Sequence, residues 1–188
     1  MNNLFIGLVH YPVLNKKQET IITSITPFDV HDIARSAYSF GVKAYYVINP
    51  SLAQKKVVDR LQQFWNDGFG KTYNPNRTEA LTIVSFVQSL EEAVSKISNQ
   101  TGKKPLLVCT SAKQNQLNQS ISFHELSLLL SKESVFLLFG TGWGLSPDVY
   151  KQAEYTLEPI SGVDTYNHLS VRAAAAIILY QIQKDCKL

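Results

Sequence analysis

A chain of 188 residues with 45% hydrophobic and 18% charged residues has the size and balance of one α/β core, which excludes disorder and collagen-like order. A membrane span needs ~18 consecutive apolar residues, and the longest apolar run, around residues 173–180, falls far short. The net charge of +3 permits a nucleic-acid partner without arguing for one, because Lys and Arg form no dense cluster. The start, Met1-Asn2-Asn3, lacks the charged and cleavable pattern of a signal peptide, so a cytoplasmic protein is expected. Two cysteines, Cys109 and Cys186, make neither a disulfide framework nor a metal site.

In chain order, short apolar runs alternate with capped helical stretches. Leu4-Phe5-Ile6-Gly7-Leu8-Val9 reads as a strand buried on both faces. A polar stretch follows, from residue 15 to 26. Asp29 then opens a helix with Ile33, Ala34 and Ala37 on its apolar side, and Gly41 ends it. Ala44-Tyr45-Tyr46-Val47-Ile48 is a strand, and Ser51 starts a helix running to about Trp65. Gly68, Gly70 and Asn74-Pro75-Asn76 mark a loose turn region, after which Leu81-Thr82-Ile83-Val84 reads as a strand.

Ser89-Leu90-Glu91-Glu92 is a capping box, and Gly102 closes the helix it opens. Leu106-Leu107-Val108-Cys109 is a strand, and Ser122-Phe123-His124-Glu125 repeats the capping pattern. A strand over residues 135–139, a short helix at Ser146-Pro147-Asp148 and a strand at Tyr155-Thr156-Leu157 follow. The tail carries Val171, Ala174, Ala175, Ile178, Leu179 and Ile182 at helical spacing. The pattern predicts an α/β fold: a mostly parallel sheet with helices on both faces.

Two loops carry chemistry. Phe139-Gly140-Thr141-Gly142-Trp143-Gly144-Leu145 leaves a strand with three glycines in five residues, so backbone amides can approach a ligand closely. A tight turn is the plainer reading. A Rossmann site is disfavoured because its glycines belong to the first βα unit, and a P-loop because no Gly-Lys-Ser/Thr follows. The second loop, Ile160-Ser161-Gly162 through Tyr166-Asn167-His168-Leu169-Ser170, leads into the alanine-rich helix. Asn167 or Ser170 would serve as its cap. Both loops lie at carboxyl ends of strands, where α/β sheets bind ligands.

The order of these segments resembles the two carboxy-terminal motifs of the SPOUT methyltransferases. Asp29-Val30-His31-Asp32-Ile33-Ala34-Arg35-Ser36-Ala37 with Phe40-Gly41-Val42 resembles their first motif, a helix bearing a functional arginine. The chain is similar to the catalytic domain of the tRNA guanine-N1 methyltransferases, standing alone. The resemblance implies a single domain over residues 1–188, a carboxy-terminal trefoil knot, S-adenosylmethionine as cofactor, an RNA substrate (tRNA or rRNA) and a homodimer. Knots are essentially absent from proteins at large, so that expectation rests on the resemblance alone.

By the same match, Thr110 and Ser111, the loop from Phe139 through Gly140, Thr141, Gly142, Trp143 and Gly144 to Leu145, and Ile160, Gly162, Tyr166, Asn167, His168, Leu169 and Ser170 would surround the adenosyl group. Arg35, one of four arginines, would hold RNA phosphate or ribose through its planar fork. A solvated residue or an ion pair to Asp32 is the plainer alternative. His31 and Asp32 are candidate general bases, and methyl transfer from a sulfonium calls for no metal. Two departures stand out: Asp29 occupies the place of the usual SpoU asparagine, and no RNA-binding domain follows the last motif. The reading is an S-adenosylmethionine-dependent RNA methyltransferase, in competition with a non-catalytic module that binds cofactor or RNA.

Overall fold

Side chains of β1 (Leu4–Val9), buried along its whole length, divide between two cores. Leu4, Ile6 and Leu8 enter one and Phe5 and Val9 the other, as strand alternation requires. The computed structural model describes residues 3–113, 117–164 and 166–186, so Thr165 of the second predicted loop lies outside the described residues.

After β1 come β2 (Val13–Leu14) and β3 (Thr20–Ile21), an antiparallel pair of which β3 falls inside the stretch read as polar and β2 just before it. Two-residue strands carry no periodicity to read. Next are α1 (Pro27–Ser39), β4 (Ala44–Ile48), α2 (Leu52–Asn66), α3 (Phe69–Tyr73), α4 (Pro75–Leu81), β5 (Val84–Val87) and α5 (Leu90–Thr101). The chain continues through β6 (Leu106–Cys109), β7 (Gln119–Ile121), α6 (Phe123–Leu129), β8 (Val135–Gly140), α7 (Pro147–Gln152), β9 (Tyr155–Leu157) and α8 (Val171–Asp185).

Seven strands form one sheet in the order β5-β4-β1-β8-β6-β9-β7, and every pairing between them is parallel. α1, α2, α6 and α8 supply the core on one face of the sheet, and α5 and α7 the core on the other. The expected α/β architecture is therefore what the chain adopts.

Four local readings change. The cap of α1 is Thr26, not Asp29: Thr26 Oγ accepts the Asp29 amide at 3.1 Å and donates to its carboxylate at 2.7 Å. Asp29 thus lies in the first turn, where the helix dipole favours an anion. The loose region after α2 is helical, because Asn74 caps α4 by accepting the Arg77 amide and Pro75 takes the first helical position. α4 then runs through Leu81, which moves the next strand from the predicted residues 81–84 to Val84–Val87. Glu92 reaches back one residue beyond the box, to the Gln88 amide, while Ser122 and Glu125 form the full reciprocal box.

Gly7 lies in the middle of β1, where an added Cβ would stand 2.9 Å from the Phe136 ring. Gly7→Ala should destabilise the chain by roughly 1–3 kcal/mol through overpacking. Urea unfolding would show this as a lower midpoint at unchanged slope; an unchanged midpoint would mean the ring moves aside freely.

Candidate active site

The loops at the carboxyl ends of β6, β8 and β9 converge on a cleft of about 790 Å³, within the usual range of roughly 300–1,000 Å³ for small-molecule sites. One wall is Phe139, Gly140, Thr141, Gly142, Trp143, Gly144 and Leu145; another is Thr110, Ser111, Ala112 and Lys113. Ile160 and Asn167, His168, Leu169 and Ser170 form the third, continuing into Val171, Ala174 and Ile178 of α8. Thr23, Ser24 and Asp29 close the rim from the segment that enters α1.

Each wall is held by identifiable bonds. Asn167 is not the helix cap; its side-chain amide donates to the Ala112 and Ile160 carbonyls, both at 2.8 Å, strapping the third wall to the second. Ser170 is the cap, accepting the Ala173 amide at 3.3 Å. Thr110 donates through its hydroxyl to the Leu138 carbonyl at 2.9 Å. The glycine loop runs alongside β2: the Trp143 amide donates to the Leu14 carbonyl, and the Leu14 amide to the Gly144 carbonyl, both at 2.9 Å.

That clamp explains the glycines. Gly142 has φ +61°, and a Cβ there would meet the Leu14 carbonyl at 2.8 Å. Gly144 has φ +107°, and a Cβ on Gly140 would meet the Leu145 amide nitrogen at 2.7 Å. The sequence reading assigned the close approach to a ligand; at Gly142 it is the chain's own hairpin that approaches.

A buried polar chain ties the clamp to β1. His10 is fully buried, with Nδ1 2.9 Å from Thr23 Oγ; that hydroxyl is 2.5 Å from Thr141 Oγ, which donates to the Val9 carbonyl. His10 Nε2 is buried without a partner. Burial outweighs the raising effect of Asp29 and pulls the His10 pKa down to about 4. Cys109 is pushed up to about 12 by burial and then by Glu154, as suits a small hydrophobe in the core.

Among the described residues lining the cleft, Asp29 is the only carboxylate. Its Oδ1 lies 3.7 Å from Arg172 Nη1, and Arg172 Nε lies 3.7 Å from the Asp32 carboxylate. The sequence reading passed over Arg172; its place next to the Ser170 cap, with acids on the other motif helix, was the available signal. Asp32 therefore pairs with Arg172 and not with Arg35.

The structure brings most of the predicted cofactor residues together at the cleft, but Gly162 and Tyr166 do not line it. The exposed Tyr166 ring packs edge-on against His168 at 5.4 Å. Arg35, His31 and Asp32 do not line it either. Arg35 is exposed on α1, about 9 Å along the axis from Asp29 at 1.5 Å per residue. His31 points to the α2 side, edge-on to Trp65 at 5.5 Å, and its pKa is lowered by burial, then by the Arg77 guanidinium, with Asp32 opposing.

Comparison with known proteins follows the same lines. A family described as SAM-dependent RNA methyltransferase matches residues 3–184. The chain belongs to that family. A tRNA (guanine-N(1)-)-methyltransferase of Oleidesulfovibrio alaskensis is 42% identical over 97% of this chain, in agreement with the resemblance read from the motifs. The chain spans less than half the length of that relative, 42% of it. An uncharacterized protein of Aquifex aeolicus is 38% identical over 94% of this chain and 86% of its own length. Among solved structures, a probable methylase family protein from Haemophilus influenzae matches 98% of this chain and 66% of that one with TM-score 0.65 at 16% identity. The SpoU methyltransferase AviRb from Streptomyces viridochromogenes, in complex with AdoMet, matches 96% of this chain and 56% of that one with TM-score 0.57 at 16% identity. These structural likenesses establish the fold.

The buried histidine has a consequence for stability. His10 takes up a proton near pH 6.5 when unfolded but only near pH 4 when folded, so the unfolded state binds more protons between those values and stability falls as pH drops from 6.5 toward 4. The shift corresponds to roughly 3 kcal/mol by the low end of the window. Denaturant unfolding at pH 7 and pH 4.5 should show a smaller acid-induced loss in His10→Asn than in the parent chain; equal losses would mean His10 protonates without penalty.

Proposed function

We propose that this chain transfers a methyl group from S-adenosylmethionine to a base nitrogen or ribose oxygen of an RNA, tRNA being favoured by the similarity to the guanine-N1 enzymes. The observation that carries the reading is the cleft, in which loops distant in sequence converge with mixed apolar and polar lining and a single carboxylate. Its residues fit the cofactor: Phe139, Leu145, Ile160 and Leu169 offer apolar surface to an adenine, and the backbone of residues 140–145 offers a polar edge. Asp29 offers negative charge to a cation. Bound there, S-adenosylmethionine would supply an activated methyl carbon with a neutral thioether as leaving group.

The protein's own contribution is positioning and, where the attacking atom carries a proton, removal of that proton. Thr110, Ser111, the residue 139–145 loop, Ile160, Gly162 and residues 166–170 hold the cofactor in this proposal. Arg35 orients the RNA with its planar fork, and His31 and Asp32 are the bases of that helix. His31 is suited to accept a proton at neutral pH, because burial and Arg77 keep it uncharged.

The carboxy-terminal third forms a trefoil knot in this proposal, within one methyltransferase domain over residues 1–188 working in the cytoplasm. Two copies pair through α1 and α8, on which Phe28, Tyr38, Ile177 and Tyr180 are exposed. Exposed apolar side chains grouped on adjacent helices mark such surfaces. Pairing also brings the exposed Arg35 of one copy within reach of a substrate at the other copy's cleft.

Two measurements test this. Ala174 lines the cleft from α8, so Ala174→Leu should weaken S-adenosylmethionine binding by calorimetry at least about tenfold, the scale of one lost buried contact, with the melting temperature held. Undiminished affinity would move the cofactor elsewhere. Arg35→Ala should abolish methyl incorporation from labelled cofactor into tRNA or rRNA while sparing cofactor affinity, and Arg35→Lys should recover little, because lysine lacks the fork. Saturable cofactor binding by the parent chain with no transfer into any RNA fraction would favour the non-catalytic module.

A further inference from the structure

α1 has a second neighbourhood, outside the lining of the cleft. His31 meets Trp65 at the end of α2, and the Arg77 guanidinium of α4 lies over the Trp65 ring at 4.7 Å. Around this buried pair the chain turns aromatic side chains outward. Phe69 and Tyr73, four apart on α3, stack with centroids 5.7 Å apart and planes 27° apart, yet they are 69% and 72% exposed. Phe64 is 48% exposed and edge-on to Trp65. The folded core makes no use of these three faces, and exposed apolar groups of this size mark interaction sites.

The charge beside them is positive. On α2, Lys56, Arg60 and Phe64 recur at four-residue spacing, so they share one exposed stripe leading to α3. The nearest acid on that helix, Asp59, is taken up by Lys55 at 2.7 Å, which leaves Lys56 and Arg60 free of it.

We infer that Phe64, Phe69 and Tyr73, with Lys56 and Arg60, form a stacking surface for unpaired bases of single-stranded RNA. Largely exposed flat rings beside cations are what unpaired bases and their phosphates require. A duplex hides its base faces and gains nothing from the rings. A polar protein partner would have no use for stacked aromatic faces, and an apolar one none for the flanking cations. The inference rests on the proposed RNA substrate and gives it a place to dock: α1 carries Asp29 at the cleft and, within a single turn, His31 against Trp65 beside this surface.

The test is binding of a fluorescent, unstructured RNA oligonucleotide to the full chain, beside methyl incorporation into RNA. Phe69→Ala with Tyr73→Ala should weaken the oligonucleotide about tenfold or more, since each stacked base contributes substantially, and should leave the melting temperature and calorimetric cofactor affinity unchanged. Arg60→Ala should lower the slope of log affinity against log salt by about 0.7, the value for one phosphate contact on a single strand. Equal affinity of parent and double variant, no binding by the parent, or tighter binding of a duplex would each overturn the inference. So would loss of binding that coincides with a change of mass in light scattering, because the rings would then belong to a contact between copies. If the parent transfers methyl groups and the double variant is unimpaired, this surface fails and the methyltransferase reading stands. If the double variant loses RNA affinity but the parent transfers nothing, the surface stands and the methyltransferase reading fails.

Discussion

The glycine loop and the β2–β3 hairpin depend on each other. Neither two-residue strand would persist alone, since an isolated short hairpin is marginal in water. It is held by the antiparallel bridge of Val13 to Leu145 and by the amides of Leu14 and Trp143. The loop in turn keeps two left-handed glycines in place because the hairpin fixes the backbone on either side of them. A cleft wall made this way is rigid before any ligand arrives, and preorganisation of this kind lowers the ordering penalty of binding.

The same clamp accounts for the one buried histidine. His10 ends β1, Thr23 leaves β3 and Thr141 belongs to the glycine loop, so one chain of side-chain hydrogen bonds joins the three segments that must stay in register. Asn49 adds a fourth, donating to the Thr23 carbonyl at 3.0 Å while its oxygen accepts the Ser51 amide. Networks of this type are stable only while each member keeps its protonation state. The unpartnered Nε2 shows that the site is built for a neutral imidazole.

How much of this was legible in the sequence depends on the length of the signal. The long apolar runs of β1 and β8 and the Ser122 box read correctly, because each is a local pattern that tertiary contacts reinforce. The cap of α1 was misplaced by three residues because Asp29, itself a good cap residue, stands in the first turn that Thr26 caps. The strand before α5 slipped because Leu81 and Ile83 fit a strand or the end of a helix equally well; only the Asn74 cap and Pro75 decide it. The cleft loops were legible through their motifs. The hairpin that crowds Gly142 was not, since nothing in residues 13–21 announces a partner more than a hundred residues away.

Arg172 shows why the site spans the whole chain. It follows the Ser170 cap at the start of α8, yet its guanidinium lies between Asp29 and Asp32 of α1 and over the Phe28 ring at 5.7 Å. Each ion pair is long and partly exposed, so each contributes little to stability by itself. Their effect is geometric. One planar group spanning two carboxylates fixes the first turn of α1 against the first turn of α8, and those turns carry Asp29 and Val171 into the same cleft. Asp29 then has two constraints, the Thr26 hydroxyl on one oxygen and Arg172 near the other. A carboxylate held from both sides keeps its direction. The first and last motifs therefore act as one unit, although some 140 residues separate them.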